Sequence, residues 1–173
     1  AERQHRHNRL TARERIDLIS PYFYPGNAFR RTLCDAAKRG VRVRLLLQGK
    51  LDYRFAGLAA SVVPFIDDMA EAYHRADLIV CRAGATTIAE VTACGKACIF
   101  IPFPHAVDDH QRRNAEALLK SGAGFMLLER ELAPESLARQ IGELLAAPQL
   151  LRETGDNARS IARLDAAAVI VDE

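Results

Sequence analysis

The stretch DLIVCRAGATTIAEVTACGKACIFIP, residues 77–102, decides the fold. DLIVC (77–81) is an apolar run that reads as a buried strand, and RAGATT turns the chain into a helix, TIAEVTACG (87–95), which stops at Gly95. KACIFIP (96–102) is a second apolar strand, brought to an end by Pro102 and Pro104. Strand, helix and strand at this spacing predict parallel pairing under a helical crossover.

The same alternation runs through the rest of the chain. Upstream, IDLISPY (16–22) and VRVRLLLQ (41–48) are strands flanking an amphipathic helix, GNAFRRTLCDAAKRG (26–40). SVVPFI (61–66) adds a strand, and DDMAEAYHRA (67–76) a helix whose paired aspartates suit the positive end of its dipole. Downstream, a helix is expected from His110 to Lys120 and a short strand at FMLLE (125–129). Helices follow at 134–147 and 149–164. The expectation is an α/β, Rossmann-like fold: a mostly parallel sheet of about six strands with helices on both faces.

A chain of 173 residues suffices for one packed domain, which buries roughly 70% of the surface its unfolded form exposes. Hydrophobic residues at 49% and charged ones at 27% exclude a disordered chain and a membrane-spanning one. No apolar run reaches the roughly 18 residues a transmembrane helix needs, and AERQHRHNRL lacks the apolar stretch of a signal peptide. The expected compartment is the cytoplasm, with peripheral attachment at the inner face of the plasma membrane as a further option. Cys34, Cys81, Cys94 and Cys98 contain no CxxC pair, so neither a disulfide nor a metal site is expected, and no cofactor. The net charge of +2 conceals +8 over residues 1–60 and −6 over the remainder. Such asymmetry marks either a basic face for anionic partners or a joint between segments of different origin. Tyr22, Phe23 and Tyr24 read as packing at the sheet rim, and no nucleic-acid module is expected.

In parallel α/β sheets ligands collect at the carboxyl ends of strands, where helix N-termini present free N–H groups to anions. RAGATT stands at such a place. Gly84 and the alanines admit a ligand to the backbone, and Thr86 or Thr87 adds a hydroxyl, which suits a phosphate. Glu90, read as lying in the first turn, can accept hydrogen bonds from two ribose hydroxyls. Thr87 and Glu90 equally fit a capping box, in which Glu90 serves only its own helix. A second polar cluster, IPFPHAVDDHQRRNA (101–115), follows the next strand and is expected at the same cleft. Its ligand spacing does not favour a metal. Asp108 and Asp109 fit N-terminal caps, whereas the Gln111 amide both donates and accepts and so suits sugar hydroxyls.

With PFIDDMAEAYHRADLIVCRAGATTIAEVTACGKACIFIPFPHAVDDHQRRNA in view, the chain from about Val63 onward resembles the C-terminal half of the MurG family. These GT-B glycosyltransferases move N-acetylglucosamine, with inversion, from its UDP donor to the C4 hydroxyl of a lipid-linked muramyl-pentapeptide in peptidoglycan synthesis. The resemblance implies a donor domain in which Ile66 meets the uracil while Ala85, Thr86 and Thr87 lie along the diphosphate. Glu90 then holds the ribose, and Gln111 with His110 reads the N-acetylglucosamine. It also implies that the catalytic base and the glycine-rich loops belong to an acceptor domain outside these residues. No catalytic residue is therefore expected here, and lipid acceptor is expected to bind only where that domain is supplied.

Residues 12–60 instead resemble a piece of a phospholipase D-type enzyme of the cardiolipin synthase kind. The HxKxxxxD motif of that chemistry is absent, since none of the five histidines is followed two places later by lysine. The expectation is a chimera-like chain, a 1–62 phospholipase D-like βαβ segment and a 63–173 MurG-like segment forming one compact domain. Two further readings follow from it: a non-catalytic fusion, and a phosphodiesterase or phosphatidyltransferase fragment. The basic N-terminal part adds an expected weak contact with anionic lipid.

Overall fold

The computed structural model describes residues 15–20, 42–47, 60–63, 66–132, 134–166 and 169. Six strands, β1 (Arg15–Ser20), β2 (Arg42–Leu47), β3 (Ala60–Val63), β4 (Leu78–Cys81), β5 (Cys98–Phe100) and β6 (Phe125–Met126), form one sheet in the order β3-β2-β1-β4-β5-β6. Every pairing is parallel. Among the described residues five α-helices accompany them: α1 (Met69–His74), α2 (Ala85–Ala93), α3 (His110–Lys120), α4 (Pro134–Leu145) and α5 (Pro148–Ser160). β1 pairs with β4 from Ile16 opposite Leu78 to Ile19 opposite Cys81, so the early and late strands share one ladder. The strand order reverses direction at β1 and β4, which is where a doubly wound sheet opens a crevice at its carboxyl edge.

Alternation along the central strands sorts the core onto both faces. Leu78, Val80, Ala97, Ile99 and Ile101 pack against Leu137, Ile141, Leu144 and Leu145 of α4. The intervening Ile79, Cys81, Cys98 and Phe100 face Tyr73 of α1, Val91 of α2, Ala115 and Leu118 of α3, and Ala158 of α5. Successive side chains point to opposite faces, so an unbroken apolar run is what a strand covered by helices on both sides requires. Each large side chain buried in this way contributes about 1.5–3 kcal/mol.

Helix ends follow local chemistry. Asp68 caps α1, its carboxylate accepting the Glu71 N–H at 2.8 Å. α2 closes through left-handed Gly95 (φ 62°), with the N–H of Gly95 donating to Thr92 O and that of Lys96 to Val91 O. α3 closes the same way at Gly122 (φ 62°). Both are positions where a Cβ would be strained. The expected helix at 110–120 matches α3 to the residue. α2 begins two residues earlier than the 87–95 expectation, and β6 gives way to a 3-10 turn at Glu129–Glu131, so that strand is shorter than read. The helix expected at 26–40, with Cys34 and the aromatics at 22–24, lies outside the described residues. Among those described, no helix is long and apolar enough to cross a membrane.

Candidate functional site

The carboxyl end of β4 delivers Arg82, Ala83 and Gly84 to the mouth of the crevice. Gly84 is the N-cap of α2 in extended conformation (φ −68°, ψ 147°), and no side chain caps the helix. The first helical bond runs from Ile88 N–H to Gly84 O at 2.9 Å. The N–H groups of Ala85, Thr86 and Thr87 therefore precede the helical ladder and point to the positive end of the dipole. A Cβ built on Gly84 would meet only Thr87 Oγ1, at 4.0 Å. The glycine is thus demanded neither by its φ nor by its packing, and the space where a side chain would stand is open.

The two readings of Glu90 separate here. The capping box is not formed, because the helix starts at Ala85 and Glu90 falls in its second turn rather than its first. Its Oε2 instead accepts the hydroxyl of Tyr73 at 3.0 Å. Tyr73 is buried, 2% exposed, while Glu90 is exposed, so a core side chain reaches out to hold a surface carboxylate. Burial first, then the neighbouring Glu90 charge and hydrogen bond, push the phenol well above its ordinary value and keep it a donor. One carboxylate offers about four lone-pair positions, so Glu90 retains acceptors for a ligand.

The loop after β5 brings in the second cluster. The Phe103 N–H donates to Gln111 Oε1 at 2.9 Å, which fixes the amide and aims its NH2 away from that bond. His110 Nδ1 lies 2.7 Å from Val107 O; a carbonyl only accepts, so Nδ1 carries a proton, and it is Nε2 that is turned away from this bond. Asp108 and Asp109 are left-handed (φ 51° and 52°), and Asp109, the N-cap of α3, makes no side-chain cap bond. The capping expected of these aspartates is not made. Aspartate is among the non-glycine residues that reach this region most readily, and the two successive left-handed residues turn the loop into the start of α3. Asn114 Nδ2 donates to Ala83 O at 3.3 Å and ties α3 to the turn after β4.

Arg82 and Tyr73 were not singled out in the sequence. Arg82 Nη1 reaches Ile101 O (3.2 Å), Pro102 O (3.1 Å) and Glu129 Oε2 (2.6 Å), and its guanidinium lies 5.4 Å from the Phe103 ring centroid. A single cation thereby joins the segments that follow β4, β5 and β6. An arginine beside a glycine turn carries no local mark of this; only the order of the strands puts the three segments together. Ile66 stands half-buried beyond the carboxyl end of β3, on the same edge of the sheet but separated from β4 by β2 and β1.

A groove of about 370 Å³ runs along α2 and α3, lined by Ala85, Ile88 and Thr92 on one side and Asn114 and Leu118 on the other, with Ile161 beyond α5. It takes Ala85 from the expected residues but none of Glu90, His110 or Gln111. Cys81 and Cys98 are free thiols with sulfurs 3.3 Å apart in the core, and burial raises the Cys98 thiol well above its usual range. Among the described residues no group of three or more His, Cys, Asp or Glu side chains is placed to hold a metal ion.

Residues 42–170 match the glycosyltransferase family 28 C-terminal domain. The chain is 65% identical over 144 residues to a UDP-N-acetylglucosamine–N-acetylmuramyl-(pentapeptide) pyrophosphoryl-undecaprenol N-acetylglucosamine transferase of Geotalea uraniireducens, covering 78% of this chain and 40% of that protein. The enzyme of the same name from Geobacter metallireducens is 68% identical over 121 residues, or 70% of this chain and 33% of that protein. The crystal structure of Acinetobacter baumannii MurG superposes with a TM-score of 0.73 at 34% identity, covering 96% of this chain and 52% of that one. Glycosyltransferase VinC, solved with dTDP, shares the fold alone, with a TM-score of 0.69 at 18% identity. The chain thus spans about 40% of the first of these curated relatives. The family match crosses residues 59–63, where the change of charge suggested a joint. These comparisons lend no support to the phospholipase D-type likeness of residues 12–60. A parallel sheet in the order 3-2-1-4-5-6, an open glycine turn after β4 and a match over 42–170 together establish that the chain belongs to glycosyltransferase family 28, as its C-terminal domain.

Proposed function

We propose that this chain is the donor-binding half of an inverting N-acetylglucosaminyltransferase that takes UDP-N-acetylglucosamine and serves the lipid-linked step of peptidoglycan synthesis. The observation that carries the reading is the uncapped start of α2, with open space at Gly84 and the Glu90 carboxylate one turn further on, released from any capping role. The diphosphate lies along the N–H groups of Ala85, Thr86 and Thr87, where charge-assisted bonds and the helix dipole favour an anion. Glu90 accepts from the ribose hydroxyls. Ile66 lies against the uracil. Gln111 donates to the sugar through its free NH2, and His110 Nε2 accepts from a sugar hydroxyl. The names of the curated relatives support this choice of donor.

The transfer itself needs a base and an acceptor pocket, and these residues contribute neither; their part is to bind and orient the donor. Residues 1–62 and 63–173 act as one compact unit, a reading supported by the shared β1–β4 ladder. The +8 charge of residues 1–60 suits weak contact with anionic lipid at the inner face of the plasma membrane. Titration with UDP-N-acetylglucosamine, followed by amide chemical shifts, tests the site. Perturbations are expected at Ala85–Thr87, Glu90 and Gln111, and silence at Glu90 and Gln111 up to millimolar ligand would refute it.

A further inference from the structure

We propose that Tyr73 is a positioning residue for nucleotide selection: by donating its hydroxyl to Glu90 Oε2 it sets the plane of the carboxylate that reads the ribose. The inference rests on the donor-site reading given above and adds a residue that touches no ligand. Glu90 projects from an exposed position on α2, where a glutamate has three side-chain torsions to restrict and gains little from any one of them. Tyr73 enters from the opposite direction. It is 2% exposed, packed with Ile79, Cys81, Val91 and Phe100 in the core behind the sheet, and its ring cannot follow a wandering partner. The bond crosses 17 residues of sequence and links α1 to α2.

The two ends of α1 hold the ring where it is. Asp68 caps its start, and Lys96 Nζ donates to His74 O (2.8 Å) and Ala76 O (3.0 Å) at its close. The phenol therefore has a fixed address, and its elevated proton affinity keeps the proton on tyrosine. With Oε2 anchored, Oε1 and the remaining lone pairs of Oε2 face outward as a preset pair of acceptors. Two vicinal hydroxyls need such a pair, whereas a nucleotide without them gains nothing from it.

The test compares UDP with 2′,3′-dideoxy-UDP by calorimetry on the full chain, in the parent protein, Tyr73→Phe, Glu90→Gln and the double variant. The parent protein is expected to prefer UDP, and Tyr73→Phe to shrink that preference about tenfold, the loss of about one charge-assisted bond. Affinity for the dideoxy nucleotide should stay unchanged. In the Glu90→Gln background the tyrosine substitution should have no further effect on the ratio. A general loosening of the fold would instead weaken both nucleotides alike, and that outcome overturns the proposal.

The failures are separable. If the parent protein binds both nucleotides equally and Glu90→Gln changes neither, the ribose reading itself is wrong. If Glu90→Gln removes the preference while Tyr73→Phe retains it, only the positioning role is lost. A measurement independent of the variant's folding uses 3-fluorotyrosine incorporated into the otherwise unaltered chain. Its 19F resonance at Tyr73 should shift with UDP and not with the dideoxy nucleotide, and equal responses would count against the proposal.

Discussion

Replacing Gly84 by alanine separates the two demands made on the turn after β4. At φ −68° and ψ 147° an alanine is unstrained, and its Cβ would find only Thr87 Oγ1 at 4.0 Å. Restricting the unfolded chain at such a position stabilises the fold by about 0.4–1 kcal/mol. Alanine is a poorer N-cap than glycine, which costs several tenths of a kcal/mol or more. The two effects oppose, so stability should stay within about 0.5 kcal/mol, or about 2 °C in Tm for a chain of this size. Binding has no such cancellation. On the proposed donor-site reading the methyl group takes space that the diphosphate needs beside the Ala85–Thr87 N–H groups, and losing one hydrogen bond to a charged phosphate costs about 1.5–3 kcal/mol. UDP affinity should therefore fall about ten- to a hundredfold. Thermal unfolding of the free protein and calorimetric titration with UDP measure the two quantities on the same preparation. Unaltered UDP affinity, or a fall in Tm of many degrees, would refute the claim that this glycine exists for the ligand.

Gly155→Ala should behave in the reverse way: its Cβ would meet Gly95 O at 2.5 Å and Ala97 N at 3.7 Å, both backbone. The roughly 1 kcal/mol gained in helix propensity is outweighed by overpacking against an unyielding chain, for a net loss of about 1–2 kcal/mol in urea unfolding. Gln111→Glu keeps an oxygen for the Phe103 N–H but removes the NH2 donor, so UDP itself should bind about as before while the added affinity for UDP-N-acetylglucosamine disappears in parallel titrations. Tyr73, whose phenol is held above its ordinary value in the fold, adds a pH dependence at the alkaline end. Its contribution is complete below about pH 10, and above it the unfolded chain gives up the proton while the folded one does not. Stability should then fall by about 1.4 kcal/mol per pH unit from this group, and Tyr73→Phe should show a shallower alkaline decline in denaturant midpoints than the parent protein.

Where local chemistry settles a boundary, sequence reading and structure agree. His110–Lys120 was legible because an apolar face ends at SGAG, and Gly95 marks the close of α2 because only glycine sits easily at φ 62°. The start of α2 reads two residues late because Thr87 and Glu90 imitate a capping box, whereas Gly84, three residues beyond the end of β4, caps without a side chain. That shift moved Glu90 from the first turn to the second. Its partner could not be read at all: Tyr73 lies in another helix, and its contact depends on α1 crossing the face behind β4. β6 reads longer because Leu127 and Leu128 are apolar, yet after one more bond to the sheet, from Leu127 N–H to Phe100 O, the chain enters the turn at Glu129–Glu131. The residue types in the site were visible, but the hydrogen bonds that decide which atoms remain free were not.

The Arg82 contacts bear on how fast this half can work. One guanidinium, with its side chain 15% exposed, holds the segments beyond β4, β5 and β6 to each other. Their conformational entropy is surrendered when the chain folds, before any nucleotide arrives. Association then calls for no local rearrangement on this side, so the observed on-rate should rise in simple proportion to nucleotide concentration, without a saturating slow phase.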